Sequence, residues 1–337
     1  SVSLVGLVSQ GLFFTGLAEK LGVEHYIFKV GTYKSAVEPF FLKKFSDANR
    51  EQLTSFLGSI WGNLTSAIEK SRNISSDELN RYLNEGLAMG QASNAVDYKL
   101  ADGLRYRYEV ENCVKEMAGQ DVKGKLKTAG VDKVASIKVK EKDSKNKIAV
   151  LYAEGEIRDE DSSSPFSADD QVISEEMANK LRKLKDDDDV KAVVFRVNSP
   201  GGSAYISEQI WKEVEELKAK KPIVVSMGNY AASGGYYISC AANKIVAERT
   251  TLTGSIGVFG VVRNFTGTFD KVGVTTDIVK TNTFADLGDI SRPMREDEKA
   301  LIQRGVEQTY DLFLTRCADG RGMTKAEIDS IGQGRVW

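Results

Sequence analysis

The chain has 337 residues, 41% of them hydrophobic and 28% charged, which is enough apolar material for two domains of ordinary size. Lys and Arg number 46 against 48 Asp and Glu, a net charge of −2, so the composition carries no electrostatic footprint for nucleic acid. No apolar run approaches the roughly 18 residues of a membrane span and no signal-peptide pattern opens the chain, so the stretch reads as soluble.

The first block, Leu4–Lys34 (LVGLVSQGLFFTGLAEKLGVEHYIFKVGTYK), lines up without gaps on Ser255–Ala285 (SIGVFGVVRNFTGTFDKVGVTTDIVKTNTFA). Gly6 matches Gly257, Gly16 matches Gly267, Gly22-Val23 matches Gly273-Val274, and Lys29 matches Lys280. A long amphipathic helical pattern follows each block, over Asn49–Lys70 and Glu296–Arg316, and then a second helix start, SSDEL or TKAEI. The shared downstream order argues for a duplication within the chain rather than chance likeness. The single histidine, His25, lies in the strand-like VEHYIFKV, faces Thr276 in the second copy, and reads as an ordinary edge-strand residue.

Gly119–Asn146 is Lys-rich, low in aromatics and broken by glycine, as a linker is. The expected organisation is a first repeat over 1–118 whose front part is missing, a linker over 119–146, and a second repeat over 147–337 whose tail is cut short. Relative to a duplicated parent, the chain is expected to be truncated at both ends. Within the second repeat, KIAVLYA, KAVVFRV and PIVVSM are continuous apolar runs of the kind a buried sheet needs. Helical patterns fall between them at Ile173–Lys185 and Ser207–Lys218, and Asp186–Asp189 reads as a solvated helix-to-strand turn rather than a calcium loop. This alternation predicts an α/β domain of β-β-α or β-α-β units.

Two turns carry possible chemistry. RVNSPGGS (Arg196–Ser203) ends a buried strand in two glycines that free backbone N–H groups to cradle an anion, although taken alone it reads as an ordinary Pro-Gly turn. The next strand ends in MGNYAASGG, and adjacent parallel strands with such turns form the crevice where α/β sheets bind ligands. There Ser233 starts an apolar helical stretch, Gly234–Asn243. A helix N-cap is one job for that serine. It does not call for the destabilising Gly234-Gly235 pair, which a nucleophile lodged against a substrate backbone explains. His25 is a poor candidate for its base, which leaves a lysine kept neutral by burial. The repeat isolates Lys34, matched by Ala285 in the second copy, although a surface lysine is the default and Glu38 four residues on would keep it charged if the two paired on a helix. The cysteines, Cys113, Cys240 and Cys317, have no metal-ligand spacing and read as buried small hydrophobes.

Taken together, RVNSPGGS, MGNYAASGGYYIS, TLTGSIGVFG and VGTYKSAVEPF closely resemble the signal peptide peptidase A (protease IV) family over nearly the whole chain apart from the linker. The resemblance implies a ClpP/crotonase-like superhelix of β-β-α units, duplicated as in the family's long members. It implies Ser233 as nucleophile, Lys34 as general base, and Ser255 holding the lysine amine. Backbone N–H groups of Gly202, Gly201 and Gly234 would form the oxyanion hole. Expected with these are hydrolysis of cleaved signal peptides and other apolar extended peptides through an acyl-enzyme, with no metal or organic cofactor. Also expected are assembly as a homotetramer, membrane contact through a segment absent from this chain, and a catalytic body on the periplasmic side of a bacterial inner membrane. Two other readings compete: a crotonase-like acyl-CoA hydratase or thioesterase, disfavoured because no paired carboxylates flank the glycines, and a non-catalytic peptide-binding scaffold.

Overall fold

The computed structural model describes residues 4–86, 90–137, 144–159 and 171–337. By contact the chain forms two compact units, Ser1–Val8 with Trp61–Lys145 and Ser9–Ile60 with Asn146–Trp337. The leading elements are helix α1 (Thr15–Leu21), strand β1 (Glu24–Val30), a 3-10 turn over Glu38–Phe40, and helix α2 (Asp47–Arg72). Ser46 caps α2, its Oγ accepting the Asn49 N–H at 3.1 Å. The unit of 61–145 continues with α3 (Ser76–Asn84), α4 (Ser93–Asp97), α5 (Arg107–Met117) and α6 (Val131–Ala135). Leu79 and Tyr82 are buried there, and the Tyr82 and Tyr98 rings meet at 4.4 Å. Part of the expected linker, residues 138–143, lies outside the described residues.

The second unit is built on β2 (Lys147–Glu154), β3 (Glu156–Ile157), β4 (Val172–Ile173), α7 (Glu176–Asp186), β5 (Val190–Ser199), α8 (Ala204–Lys220), β6 (Ile223–Ala232), α9 (Gly234–Tyr237), β7 (Lys244–Val246) and β8 (Leu252–Gly254). Strands pair in parallel in the order β2-β5-β6-β7, with β8 also on β6. Val193, Phe195 and Val197 of β5 are buried, as are Ile210, Val214 and Leu217 of α8 and Leu181 of α7. That apolar layer is the main driving force for this unit, at roughly 1.5–3 kcal/mol for each fully buried large side chain. β2 departs from expectation. It pairs with β5 alone among the described residues, and Ile148, Val150 and Tyr152 are exposed, so its apolar run is that of an edge strand with one open face. The helix expected over Gly234–Asn243 is likewise shorter, ending at Tyr237 so that the chain reaches β7.

The chain closes with β9 (Val258–Asn264), α10 (Thr266–Val272), α11 (Glu296–Arg321) and α12 (Lys325–Ile331). The duplication is visible in these elements. α1 and α10 each have seven residues and end on a left-handed glycine, Gly22 (φ 78°) and Gly273 (φ 73°). α2 and α11 each have 26 residues. α3 and α12 both open on a capping box, Ser75 with Glu78 and Thr324 with Glu327. The strands are not repeated in the same way. β1 pairs antiparallel with β9, Glu24 opposite Asn264 through Val30 opposite Val258. The residues aligned with β1 in the second copy, 275–281, form no strand, and neither do those aligned with β9 in the first, 7–13. α11 covers the β1–β9 ribbon through Phe28, Met294 and Val306. Residues 9–60 of the first copy are thereby part of the same compact unit as the second.

Candidate active site

Strands β5 and β6 both run toward the turns singled out by sequence, and their register slips between Val197 and Ser199, so that Ser199 stands opposite Ala231. β6 delivers Ser233, whose backbone lies at φ 54°, ψ −120°, a conformation that costs a non-glycine residue about 1–3 kcal/mol. The Ser233 N–H donates to Gly254 O (2.9 Å) and its carbonyl accepts from Tyr236 and Tyr237, which fixes the residue from both sides. Its side chain makes no capping hydrogen bond to α9, so the N-cap role is not the one it fills.

The Gly234-Gly235 pair has a different cause from the one the sequence suggested. A Cβ on Gly235 would lie 2.6 Å from Ser199 O, and one on Gly234 would lie 2.7 Å from Ser207 Oγ. The crowding comes from the protein's own neighbouring turn and α8. Small residues here let the serine turn seat against the end of β5.

Lys34 comes from the loop after β1, and β1 is tied to β9 three residues beyond Ser255. Its side chain is 3% exposed, and Nζ lies 3.1 Å from Ser233 Oγ, 3.0 Å from Ser255 Oγ and 3.1 Å from Ser255 O. The Phe259 ring stands 5.9 Å from the amine. Burial lowers the Lys34 pKa from 10.5 to about 8, because the charged form loses hydration that these neutral partners do not replace. Glu38 does not pair with it. The loop makes a turn and a 3-10 segment instead of an α-helix, and the Glu38 carboxylate accepts from Ser46 Oγ (2.5 Å), Ser46 N–H (3.2 Å) and Asn49 Nδ2 (2.8 Å).

The glycine turn after β5 packs on β3. Ile157 N–H donates to Gly201 O (2.9 Å) and Ser203 N–H to Ile157 O (2.7 Å). Gly201 has φ 105° and its N–H donates to Ser199 Oγ (3.1 Å). Gly202 has φ 147°, and a Cβ there would lie 2.0 Å from Ile157 O. Among the described residues the N–H groups of Gly202 and Gly234 have no acceptor, and a Cβ on Gly234 would stand 3.2 Å from the Gly202 nitrogen. Two free donors thus sit side by side next to the Ser233 hydroxyl, while Gly201 uses its own internally.

These groups open into one cavity of about 630 Å³ whose lining includes Ile157, Pro200, Tyr237, Val258, Phe259 and Phe313. Glu156, Arg158 and Asp159 also line it, so two acidic residues border the cavity, although neither belongs to the glycine turns. His25 stacks on Phe40 (5.2 Å) and is not a lining residue of this cavity. Cys240 and Cys317 are buried and Cys113 half-buried, all three with free thiols. The Asp186–Asp189 run ends α7 and leads into β5, and there Lys220 pairs with Asp186 and Lys147 with Asp189. The signal for Ser255 was present in the repeat: it aligns with Leu4, so Lys34, which carries the amine, and Ser255, which contacts it, both break the symmetry between the copies.

The model of peptidase family S49 matches residues 1–121 and 215–337, and that of Clp protease matches residues 163–256. Protease 4 of Haemophilus influenzae is 37% identical over all of this chain and 55% of its own length. Protease 4 of Salmonella typhi is 38% identical over all of this chain and 54% of its length. The chloroplastic serine protease SPPA of Arabidopsis thaliana is 32% identical over 99% of this chain and half of its own. The chain therefore spans about half the length of the curated relatives it matches.

Proposed function

The chain belongs to peptidase family S49, with a ClpP-like α/β fold, and from that premise we propose that it is a serine endopeptidase working through a Ser233–Lys34 dyad. The observation that carries this reading is the 3.1 Å approach of a dry Lys34 amine to the Ser233 hydroxyl. A neutral amine has two N–H donors and one lone pair. Donation to Ser255 Oγ and Ser255 O leaves the lone pair for the Ser233 proton. Ser233 Oγ bonds to the scissile carbonyl carbon as Lys34 takes the proton, and the oxyanion lies on the Gly202 and Gly234 N–H groups. The C–N bond then breaks as Lys34 returns the proton to the leaving amine, and water repeats the sequence on the acyl-enzyme. A fluorophosphonate should label Ser233 and nothing else; Ser233→Ala and Lys34→Ala should each remove labelling and peptidase turnover while the protein stays folded. Undiminished turnover in either purified variant ends the dyad reading.

The apolar part of the cavity lining, Ile157, Pro200, Val258, Phe259 and Phe313, supports extended apolar peptides as substrates, cleaved signal peptides among them. Competition between an apolar signal-sequence peptide and a charged peptide of equal length tests this, and preference for the charged one argues against it. Membership of a peptidase family disfavours the hydratase reading, and an intact amine–hydroxyl contact disfavours a purely binding role.

Self-association is proposed on the repeat. Within one chain, β1 of the first copy pairs with β9 of the second. The counterparts of these strands, 275–281 and 7–13, are left without that partner, and Val279 is 99% exposed. Pairing 275–281 of one chain with 7–13 of another repeats the internal contact and suits a closed homo-oligomer, with a tetramer as the family expectation. The extracytoplasmic, membrane-associated location stays part of the proposal, to be tested by fractionating cells and probing protease accessibility.

A further inference from the structure

The site depends on the loop that carries Lys34, and one buried side chain outside the reacting group touches that loop on both sides of the lysine. Gln52, in the second turn of α2, is 2% exposed. Its Nε2 lies 3.1 Å from Tyr33 O, 2.7 Å from Ser35 Oγ and 3.0 Å from Asn49 Oδ1, and its Oε1 accepts the Val336 N–H at 3.2 Å.

The direction of this carboxamide is imposed from a distance. The buried Glu38 carboxylate accepts from Ser46 and from Asn49 Nδ2. An amide facing a carboxylate presents its NH2 group, so Asn49 turns its oxygen toward Gln52. Gln52 must then offer its own NH2 to Asn49 and the loop, and its oxygen to Val336. That residue belongs to the terminal run 332–337, in which Arg335 O accepts the Ser255 N–H (2.6 Å) and Gly334 N–H donates to Ile256 O (2.7 Å). A Cβ on Gly334 would lie 2.6 Å from the Lys34 nitrogen, so the run abuts the base loop directly. The Arg335 guanidinium stands 4.8 Å from the Tyr33 ring and 4.6 Å from that of Trp337.

We propose that Gln52 is a positioning residue for the dyad, clamping the Lys34 loop to the run that holds Ser255 so that the amine stays dry and aimed at Ser233. The proposal rests on the Ser233–Lys34 reading above. Without the clamp, Tyr33 O and Ser35 Oγ lose their shared donor on either side of Lys34 while Tyr33 N–H stays on Gln333 O (2.8 Å), water enters at the two freed acceptors, and the amine regains hydration. The charged groups around the loop are Glu38 and Glu51 beneath it, Arg335 on the terminal run, and Glu156, Arg158 and Asp159 at the cavity edge. An uncharged replacement of Gln52 alters none of them.

The experiment is the pH dependence of fluorophosphonate labelling for the unaltered chain, Gln52→Leu, Gln52→Ala and Lys34→Ala, each rate expressed per folded molecule from a thermal melt. Gln52→Leu keeps the volume; Gln52→Ala leaves room for water to satisfy the released groups if the leucine variant folds poorly. The expected result is labelling at pH 8 reduced about tenfold or more, with the midpoint moved up by about half a unit or more toward the ordinary lysine value. An unchanged midpoint in both variants, whatever happens to the melting temperature, overturns the positioning role. Labelling of Lys34→Ala at the unaltered rate overturns the dyad itself, an outcome distinct from the first.

Discussion

Lys34 is held at 3% exposure by two serines and a phenylalanine ring, and none of them offers a negative charge. Its pKa near 8, below the ordinary 10.5, gives a signed expectation: peptidase rate rises with pH through about 8, as the amine loses its proton and becomes able to take that of Ser233. The same burial affects stability. A lysine whose folded pKa is depressed binds fewer protons folded than unfolded between pH 8 and 10.5, so its cost is fully present below pH 8 and fades as pH climbs to 10.5. Lys34→Met should therefore stabilise the fold at pH 7 by an amount on the order of 3 kcal/mol while losing activity, and this gain should vanish above pH 10.5, as parallel thermal melts will show. At the oxyanion cradle, Gly202→Ala places a Cβ about on top of Ile157 O, in a backbone region closed to alanine. Turnover should drop about a hundredfold or more, and titration of the labelled serine will tell lost chemistry from lost folding.

Strand β1 brings Lys34 to the site only because it pairs with β9 and is covered by α11. Phe28, 4% exposed, is the largest buried side chain in that small cluster with Met294 and Val306. Phe28→Ala should destabilise the chain by about 3–5 kcal/mol in denaturant titrations, and activity should fall before the parallel sheet unfolds because the base lies on the weaker ribbon. A uniform, simultaneous loss of both signals would contradict that order. At this scale the apolar runs of β5 and β6 were readable as buried strands because each has a strand on either side and drives one face, Val193, Phe195 and Val197 or Ile223, Val225 and Met227, into the core. β2 was not, since an apolar run does not say whether helices cover both faces; here Ile148, Val150 and Tyr152 remain open. The glycine pair after Ser233 was recognised as crowded, yet what crowds it is the end of β5 and α8, distant in sequence.

For the whole molecule, the duplication leaves one pair of equivalent segments paired as strands within the chain and the other pair, 7–13 and 275–281, outside any strand. If 275–281 meets 7–13 of a second copy, Val279→Asp should shift the chain to a smaller species in sedimentation velocity with its melting temperature unchanged. A monomer before substitution, at any concentration up to the solubility limit, would remove that assembly from consideration. Charge and composition, the repeat, the two long helices with the capped helix starts that follow them, and the two turns bearing Ser233 and the glycines are properties of neighbouring residues, so the sequence alone determined them. Lys34 is legible as a break in the repeat, and Ser255 is an equal break whose role only the family resemblance implies. The 3.1 Å contact, the burial that lowers the amine's pKa, the loss of Gly201 as a free donor and the Glu38–Asn49–Gln52 chain were decided by tertiary structure alone. Each depends on groups far apart in the chain meeting at a set distance with water excluded, and neither composition nor local spacing carries that information.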